Sequence, residues 1–173
     1  MKALIVTGRG VQDEEYTYPL RRLDEAGWEA DVAVRGGQEF SSIGGLKFSP
    51  TRDIVGTKWL DYHLLVIPGG VKAMEHMRLD QELVQAVLLY HCNRKGSVVA
   101  AICSGVQLLI SAGLVHGRRM AIYPAFRVDL ENAGGEFVDM PAVVDDRICT
   151  SPHYQYLGPW MAATLACVAG VGR

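Results

Sequence analysis

The sequence predicts an α/β fold in which helices pack against a mostly parallel β-sheet. Two observations carry this prediction: short apolar runs alternate with segments of helical periodicity, and most runs end at a glycine or a polar turn. Parallel strands follow from this alternation, because a helix between two strands returns the chain to the same edge of the sheet. At 173 residues the chain is long enough for one core, and we expect a single domain over residues 1–173.

The first part of the chain contains two predicted strands and one helix. Residues 2–7 form a short apolar strand, and residues 13–26 form a helix that Gly27 ends. Residues 28–34 alternate between apolar and polar side chains, as in a second strand. Residues 35–57 are rich in glycine and serine and contain short β-like pieces, which are typical of a hairpin or meander.

The middle of the chain repeats the same alternation. Residues 63–67 form a third apolar strand, and a loop over residues 71–77 leads to an amphipathic helix over residues 79–93. Residues 98–102 form a fourth strand, followed by a helix over residues 104–112.

The last part of the chain has shorter elements. Pairs of glycines and single prolines separate them. We predict strands at residues 119–122, 136–138, 142–144 and 147–150, and helices at residues 124–133 and 158–169.

Composition excludes several function classes. Charged residues make up 21% of the chain, the net charge is −2 and no basic run exceeds two residues, so nucleic acid and membrane surfaces are not expected partners. No apolar stretch reaches transmembrane length, and the four cysteines include no CxxC pair, which together indicate free thiols in the cytoplasm. The chain has no metal-ligand spacing such as HxxH, and we expect neither a metal nor a cofactor.

Cys103 is the strongest candidate for a catalytic residue. The apolar strand stops at this cysteine, and a helical pattern begins within three residues. Small residues two positions before and after it, Ala101 and Gly105, allow the sharp turn of a nucleophile elbow. The turn places the sulfur at a helix N-terminus, where backbone N–H groups favour a thiolate.

Other polar groups follow neighbouring strands, where open α/β sheets bind ligands. Gly69 and Gly70 follow the third strand, and Gly70 with the N–H of Ser104 is predicted to form an oxyanion hole. A carboxylate cluster at residues 13–15 follows the first strand, and His153 follows the last. We expect these groups to converge on one pocket beside the cysteine.

Several motifs together resemble the ThiJ/PfpI (DJ-one) superfamily, and most closely its PfpI branch. They occur in order over nearly the whole chain: residues 1–6, 15–20, 65–70, 101–105, 109–118, 123–124 and 132–134. The resemblance implies a flavodoxin-like three-layer sandwich that assembles as a homodimer or a larger homo-oligomer. It also implies that Glu15, four residues before Pro19, hydrogen-bonds the reactive Cys103. A carboxyl that donates to a thiolate must be protonated, so we expect burial and the nearby negative charge to raise its pKa.

PfpI-like proteases carry a histidine after the cysteine and pair it with a glutamate from a neighbouring subunit. Ser104 stands at the histidine position here, so the protease triad is incomplete. Glu75 is the counterpart of the glutamate. His153 and the neighbour of Glu75, His76, are the candidates to replace the missing base, and Tyr123 stands where relatives line the pocket.

Three functions fit these residues. The first is a cysteine-dependent enzyme, of glyoxalase, deglycase or amidase-like hydrolase type, in which Cys103 attacks a small carbonyl electrophile or its adduct on a protein and Glu15 shuttles the proton. The alternative is a non-catalytic oxidative-stress sensor or chaperone that uses the same thiol. The third is a binding scaffold with an inert cysteine.

Overall fold

The helices and strands follow one another as the alternating pattern predicts. A computed structural model describes residues 1–93 and 96–171, so residues 94–95 and 172–173 of the predicted domain lie outside the described residues. The helices are α1 Asp13–Glu25, α2 Val71–Met77, α3 Gln81–Asn93, α4 Val106–Ser111, α5 Arg127–Asn132 and α6 Leu157–Val171. The strands are β1 Lys2–Val6, β2 Glu29–Val34, β3 Phe40–Ser41, β4 Lys47–Phe48, β5 Arg52–Asp53, β6 Leu64–Ile67, β7 Val98–Ile102, β8 Arg119–Met120, β9 Glu136–Phe137, β10 Val143–Asp145 and β11 Ile148–Ser151.

The main sheet is mostly parallel, as predicted. Within the described residues seven strands pair in the order β10-β11-β7-β6-β1-β2-β5. Every neighbouring pair is parallel except β10 with β11, which are antiparallel. The carboxyl ends of β1, β6, β7 and β11 therefore lie along one edge of the sheet.

Helices cover both faces of this sheet. Helices α2 to α5 pack on the face that carries Leu4 and Val6 of β1, whereas α1 and α6 pack on the face that carries Ala3 and Ile5. Successive side chains of a strand point to opposite faces, so a strand covered on both sides is apolar throughout. The result is the predicted three-layer flavodoxin-like sandwich.

Two predicted features differ from the structure. Residues 71–77 form helix α2 rather than a loop, because Ala73, Met74 and Met77 turn inward at helical spacing and are buried against the core. The strand predicted at residues 119–122 does not join the main sheet. Its first two residues form β8, which pairs with β9 in a separate two-stranded sheet.

The segment over residues 35–57 contains the hairpin expected there. Strands β3 and β4 pair antiparallel, and Phe40 and Phe48 pack against Tyr16 of α1. Among the described residues, no helix combines the length and the apolar composition needed to cross a bilayer.

Candidate functional site

Cys103 lies at a sharp turn between β7 and the helical segment that follows it. Ile102 is extended, whereas Cys103 has a φ of 57°, in the left-handed region that side chains other than glycine rarely adopt. Gly105 is required here because a Cβ at this position would overlap the carbonyl oxygen of Ile67. This backbone has the form of the predicted nucleophile elbow, with a half-buried thiol at its apex.

Glu15 is the carboxyl that the fold brings to this thiol. It lies in the first turn of α1 but is fully buried, and its Oε2 accepts a hydrogen bond of 2.8 Å from the N–H of Gly69. No described residue donates a hydrogen bond to its Oε1. The carboxyl nevertheless lies close enough to the Cys103 thiol for the two groups to influence each other's pKa. Burial raises the pKa of Glu15 to about 7, although the Gly69 N–H opposes the shift. The pKa of Glu15 thus shifts in the predicted direction, whereas the predicted donation from a protonated carboxyl to a thiolate is not supported, because the pKa of the thiol rises further.

The same surroundings keep Cys103 protonated. Burial, together with the negative charge of Glu15, raises the pKa of the Cys103 thiol to about 12, against the hydrogen bonds from Ser104 that lower it. The expectation that the helix N-terminus favours a thiolate is wrong for this site, because desolvation outweighs the backbone N–H groups. Between about pH 7 and pH 12 these values correspond to an ionised carboxyl beside a protonated thiol.

Gly69 borders both Glu15 and Cys103 and leaves no room for a side chain of its own. A Cβ on Gly69 would overlap Oε2 of Glu15 and lie 2.9 Å from the Cβ of Cys103. Close approach of backbone to both groups is the physical reason for glycine at this position.

Gly69→Ala is expected to lower the free energy of unfolding by about 2 kcal/mol or more, because the new methyl group must displace Glu15 or the elbow. Urea denaturation of the variant measures the change. Gly8→Ala is the matched control, since a Cβ there meets its nearest neighbour at 4.0 Å and should cost little. Equal stability of the two variants would contradict the close packing described here.

Ser104 has a side-chain interaction that the sequence does not reveal. It is fully buried, and its Oγ accepts a hydrogen bond of 2.8 Å from the N–H of Gly70. Gly70 itself needs to be glycine, because its φ is 115° and a Cβ would overlap the carbonyl oxygen of Gly10. Both N–H groups of the glycine pair are thus already engaged by side chains, that of Gly69 by Glu15 and that of Gly70 by Ser104.

Glu75 does not lie in this cluster. It is exposed on α2 and forms a salt bridge of 2.9 Å with Lys72, which lowers its pKa. Its neighbour His76 is exposed on the same helix. The fold brings neither side chain into the group formed by Glu15, Gly69 and Cys103.

Tyr123 and His153 form a second group at the same edge of the sheet. Strand register pairs Ser151 with Ile102, so His153 follows β11 as Cys103 follows β7. The rings of Tyr123 and His153 stack with centroids 5.9 Å apart, and both line a cavity of about 360 Å³. The Nδ1 of His153 accepts a hydrogen bond from the N–H of Gln155 and caps the turn that follows.

The remaining predicted groups serve the fold. Asp13 accepts a hydrogen bond of 2.9 Å from the N–H of Gly44, so of the carboxylate cluster only Glu15 reaches the cysteine. Cys149 is buried, and burial raises its pKa. Across the residues that the structure describes, no group of three His, Cys, Asp or Glu side chains is arranged to hold a metal ion.

Comparison with known proteins matches the sequence to one family. The profile of the DJ-1/PfpI family matches residues 1–166. The chain is 35% identical over 167 residues to the deglycase PfpI of Pyrococcus furiosus, covering 93% of this chain and 95% of that protein. It is 35% identical over 153 residues to general stress protein 18 of Bacillus subtilis, covering 87% of each.

Solved structures agree with the fold. A two-domain protein from Anabaena variabilis, which contains DJ-1/ThiJ/PfpI-like and ferritin-like domains, superposes with a TM-score of 0.91 at 29% identity. The match covers 97% of this chain and 48% of that one. DJ-1 of Schizosaccharomyces pombe superposes with a TM-score of 0.85 at 17% identity, over 99% of this chain and 97% of that one, a likeness of fold.

Proposed function

This chain belongs to the DJ-1/PfpI family, and on that premise we propose that it is a cysteine-dependent enzyme for small carbonyl electrophiles or their adducts on proteins. The observation that carries the proposal is the pairing of Cys103, at a left-handed elbow, with the buried carboxyl of Glu15. A relative named as a deglycase supports the substrate class. The absence of a histidine after Cys103 favours carbonyl chemistry over proteolysis.

Glu15 is the base that we propose for this reaction. Above about pH 7 the carboxyl is ionised while the thiol still holds its proton. As the sulfur forms its bond to the carbonyl carbon, the thiol proton passes to Glu15, and the π electrons of the carbonyl move onto its oxygen. Glu15 then gives this proton to the oxygen, which yields a hemithioacetal. Its carboxylate next takes the hydrogen of the former aldehyde carbon as a proton and returns it to the neighbouring ketone carbon through an enediol, which yields a lactoyl thioester. Water cleaves the thioester to lactate, and the sulfur regains its proton. For methylglyoxal the net reaction is addition of one water to give lactate.

The oxyanion is proposed to bind at the backbone N–H of Ser104. The Gly70 N–H, which the sequence also predicts as a donor, is held by the Ser104 hydroxyl at 2.8 Å. It becomes available to a substrate oxygen once that hydroxyl turns away, so Ser104 controls access to the second donor. We further propose that Tyr123 and His153 border the substrate at the neighbouring strand end.

Ser104→Ala is expected to lower the free energy of unfolding by about 1–2 kcal/mol, because it leaves the buried Gly70 N–H without an acceptor. Urea denaturation at pH 7 measures the change. Unchanged stability would show that the Ser104 hydroxyl is not the partner on which this loop depends.

A redox sensor is the second candidate, and the environment of the thiol disfavours it. Peroxide reacts with thiolates, whereas burial and Glu15 hold Cys103 in the thiol form. We also propose a cytoplasmic location, in keeping with four free cysteines, and a homo-oligomer. Glu75 is exposed on α2, outside the group around Cys103, and we propose that it serves the site of a second subunit.

Product analysis separates these functions. The purified protein is incubated with methylglyoxal, and lactate is measured by NMR. Continued lactate formation over many turnovers is expected. If no lactate forms, and mass spectrometry shows stoichiometric oxidation of Cys103 at a low peroxide concentration, the sensor function is supported instead of the enzyme. If the protein forms no lactate and peroxide does not oxidise Cys103, a binding scaffold is the function that remains.

A further inference from the structure

Cys149 and Cys167 form a second pair of thiols, outside the group around Cys103. Cys149 is buried in β11, and Cys167 is half-buried near the end of α6. Cys149 belongs to the apolar cluster between the main sheet and helices α1 and α6, and Cys167 packs against that cluster. Both thiols are free, and the proposed chemistry at Cys103 uses neither of them.

The strand directs the side chain of Cys149 toward α6. Cys149 pairs in register with Ala100 of β7, and both lie on the face that α1 and α6 cover. Its neighbour Ile148 lies on the opposite face, as the alternation of side chains along a strand requires. The indole N–H of Trp160 in α6 donates a hydrogen bond of 3.3 Å to the carbonyl oxygen of Cys149. The helix is therefore attached to the strand at this residue.

One face of α6 brings Cys167 to the same strand. Trp160, Thr164 and Cys167 follow one another at spacings of four and three residues, so they share a face of the helix. Trp160 and Thr164 are fully buried on this face. The Cys167 thiol donates to the carbonyl oxygen of Asp146 at 3.8 Å, in the turn that leads into β11. These contacts place the sulfur of Cys167 beside the start of the strand that carries Cys149.

The two thiols lie close enough to influence each other. Burial raises the pKa of the Cys149 thiol, and the neighbouring Cys167 thiol adds to this rise. The Thr164 hydroxyl acts in the opposite direction and lowers the same pKa. This hydroxyl is fully buried, and no described residue forms a hydrogen bond of good geometry with it. It is therefore available to the Cys149 sulfur when that sulfur gains negative charge.

We propose that Cys149 and Cys167 are a modification site at which a low-molecular-weight disulfide, such as glutathione disulfide, forms an intrachain disulfide. The half-exposed Cys167 reacts first. Its sulfur loses a proton and attacks one sulfur of the reagent, whose S–S bond breaks and whose other half leaves and takes up a proton. The sulfur of Cys149 then attacks Cys167 in this mixed disulfide, and the second half leaves in the same way. Two protein thiols are oxidised, and one reagent disulfide is reduced to two thiols.

Equilibration of the full chain with mixtures of glutathione and glutathione disulfide tests this proposal. After acid quenching and alkylation, the chain is cut with chymotrypsin and analysed by mass spectrometry. Chymotrypsin cuts after Tyr154 and Tyr156, between the two cysteines, so only a disulfide holds the two peptides together. We expect half of the folded chain to be oxidised at a value of [glutathione]²/[glutathione disulfide] at least about tenfold higher than for the chain unfolded in urea. Excess glutathione should restore both thiols.

Four variants test the order of the two steps. Cys149→Ala should stop at the mixed disulfide on Cys167, because the second thiol is missing, and Cys167→Ser should acquire no disulfide at Cys149, which is buried. Cys92→Ala removes the exposed thiol of α3 and is the matched control, which should be oxidised as the parent chain is. Cys103→Ala should behave in the same way, so this proposal and the proposed activity of Cys103 stand or fall separately.

The folded parent chain decides the outcome, whether or not Cys149→Ala folds. Half-oxidation at a glutathione ratio no higher than that of the unfolded chain would overturn the proposal, because the fold would then not hold the two sulfurs together. A glutathione adduct that persists on Cys167 of the parent chain would overturn it as well. So would a disulfide that joins two copies of the chain instead of residues 149 and 167, which a gel without reductant detects.

Discussion

Replacing Cys103 with alanine is expected to reduce kcat/KM for lactate formation from methylglyoxal by at least about 1,000-fold. The sulfur forms the bond to the carbonyl carbon in the proposed reaction, and the methyl side chain of alanine has no electron pair with which to form that bond. Glu15 would remain in place, but a base without a nucleophile beside it supplies little of the rate. Steady-state kinetics with NMR detection of lactate measures the loss.

Two comparisons make this result specific. Cys92→Ala removes an exposed thiol of α3 and should leave kcat/KM within about twofold of the parent value. Cys103→Ser keeps a polar atom at the elbow, yet a serine hydroxyl is far less acidic than a thiol and should be inactive as well. If Cys103→Ala retained a tenth of the parent activity, the carbonyl chemistry would have to be assigned elsewhere in the molecule.

Glu15→Gln is expected to stabilise the protein and to impair catalysis. The pKa of Glu15 is about 7 in the folded chain and 4.5 in the unfolded chain. Between these values the folded state binds more protons than the unfolded state, so stability falls as pH rises from about 4.5 to about 7. The whole penalty, about 3 kcal/mol, is present above pH 7 and absent below pH 4.5.

Glutamine carries no charge at any pH and can still accept the hydrogen bond from the Gly69 N–H. We therefore expect the variant to be about 3 kcal/mol more stable than the parent at pH 8 and nearly equal to it at pH 4. Urea unfolding at several pH values measures both curves. Asp24→Asn, at an exposed position near the other end of α1, should reproduce the pH dependence of the parent.

Loss of the carboxylate should have the opposite effect on turnover. An amide cannot accept the thiol proton, so we expect kcat to fall by about 100-fold and its rise through pH 7 to disappear. Such a trade between stability and activity is typical of a buried catalytic acid or base. A variant that is neither stabilised at pH 8 nor slowed would show that Glu15 is not ionised in the working protein.

Much of the fold is predictable because its signals are local. Apolar runs fix β1, β6 and β7 to within a residue, and Gly27 ends α1 as expected. The elements that escape prediction are those whose place depends on distant partners. A strand is predicted at residues 119–122, but its first two residues form β8, which pairs with β9 rather than with the main sheet.

The candidate site likewise has residues that the sequence identifies and a contact that depends on distant partners. Ala101, Cys103 and Gly105 identify the elbow from their spacing, and the family resemblance identifies Glu15 four residues before Pro19. Neither the spacing of these residues nor the family resemblance predicts the hydrogen bond from the Gly70 N–H to Ser104 Oγ. It joins residues 34 positions apart, through a serine at a position where protease-like relatives carry histidine.

By itself, the sequence determined the mostly parallel α/β fold and the cysteine at its elbow, because periodicity and turn chemistry act over a few residues. Only the tertiary structure decided the proton state of the site. Glu15 meets the N–H of Gly69 across 54 residues, and both the carboxyl and Cys103 lose water when the layers close. Burial raises the pKa of both groups, a result that depends on three-dimensional contacts and not on the order of residues.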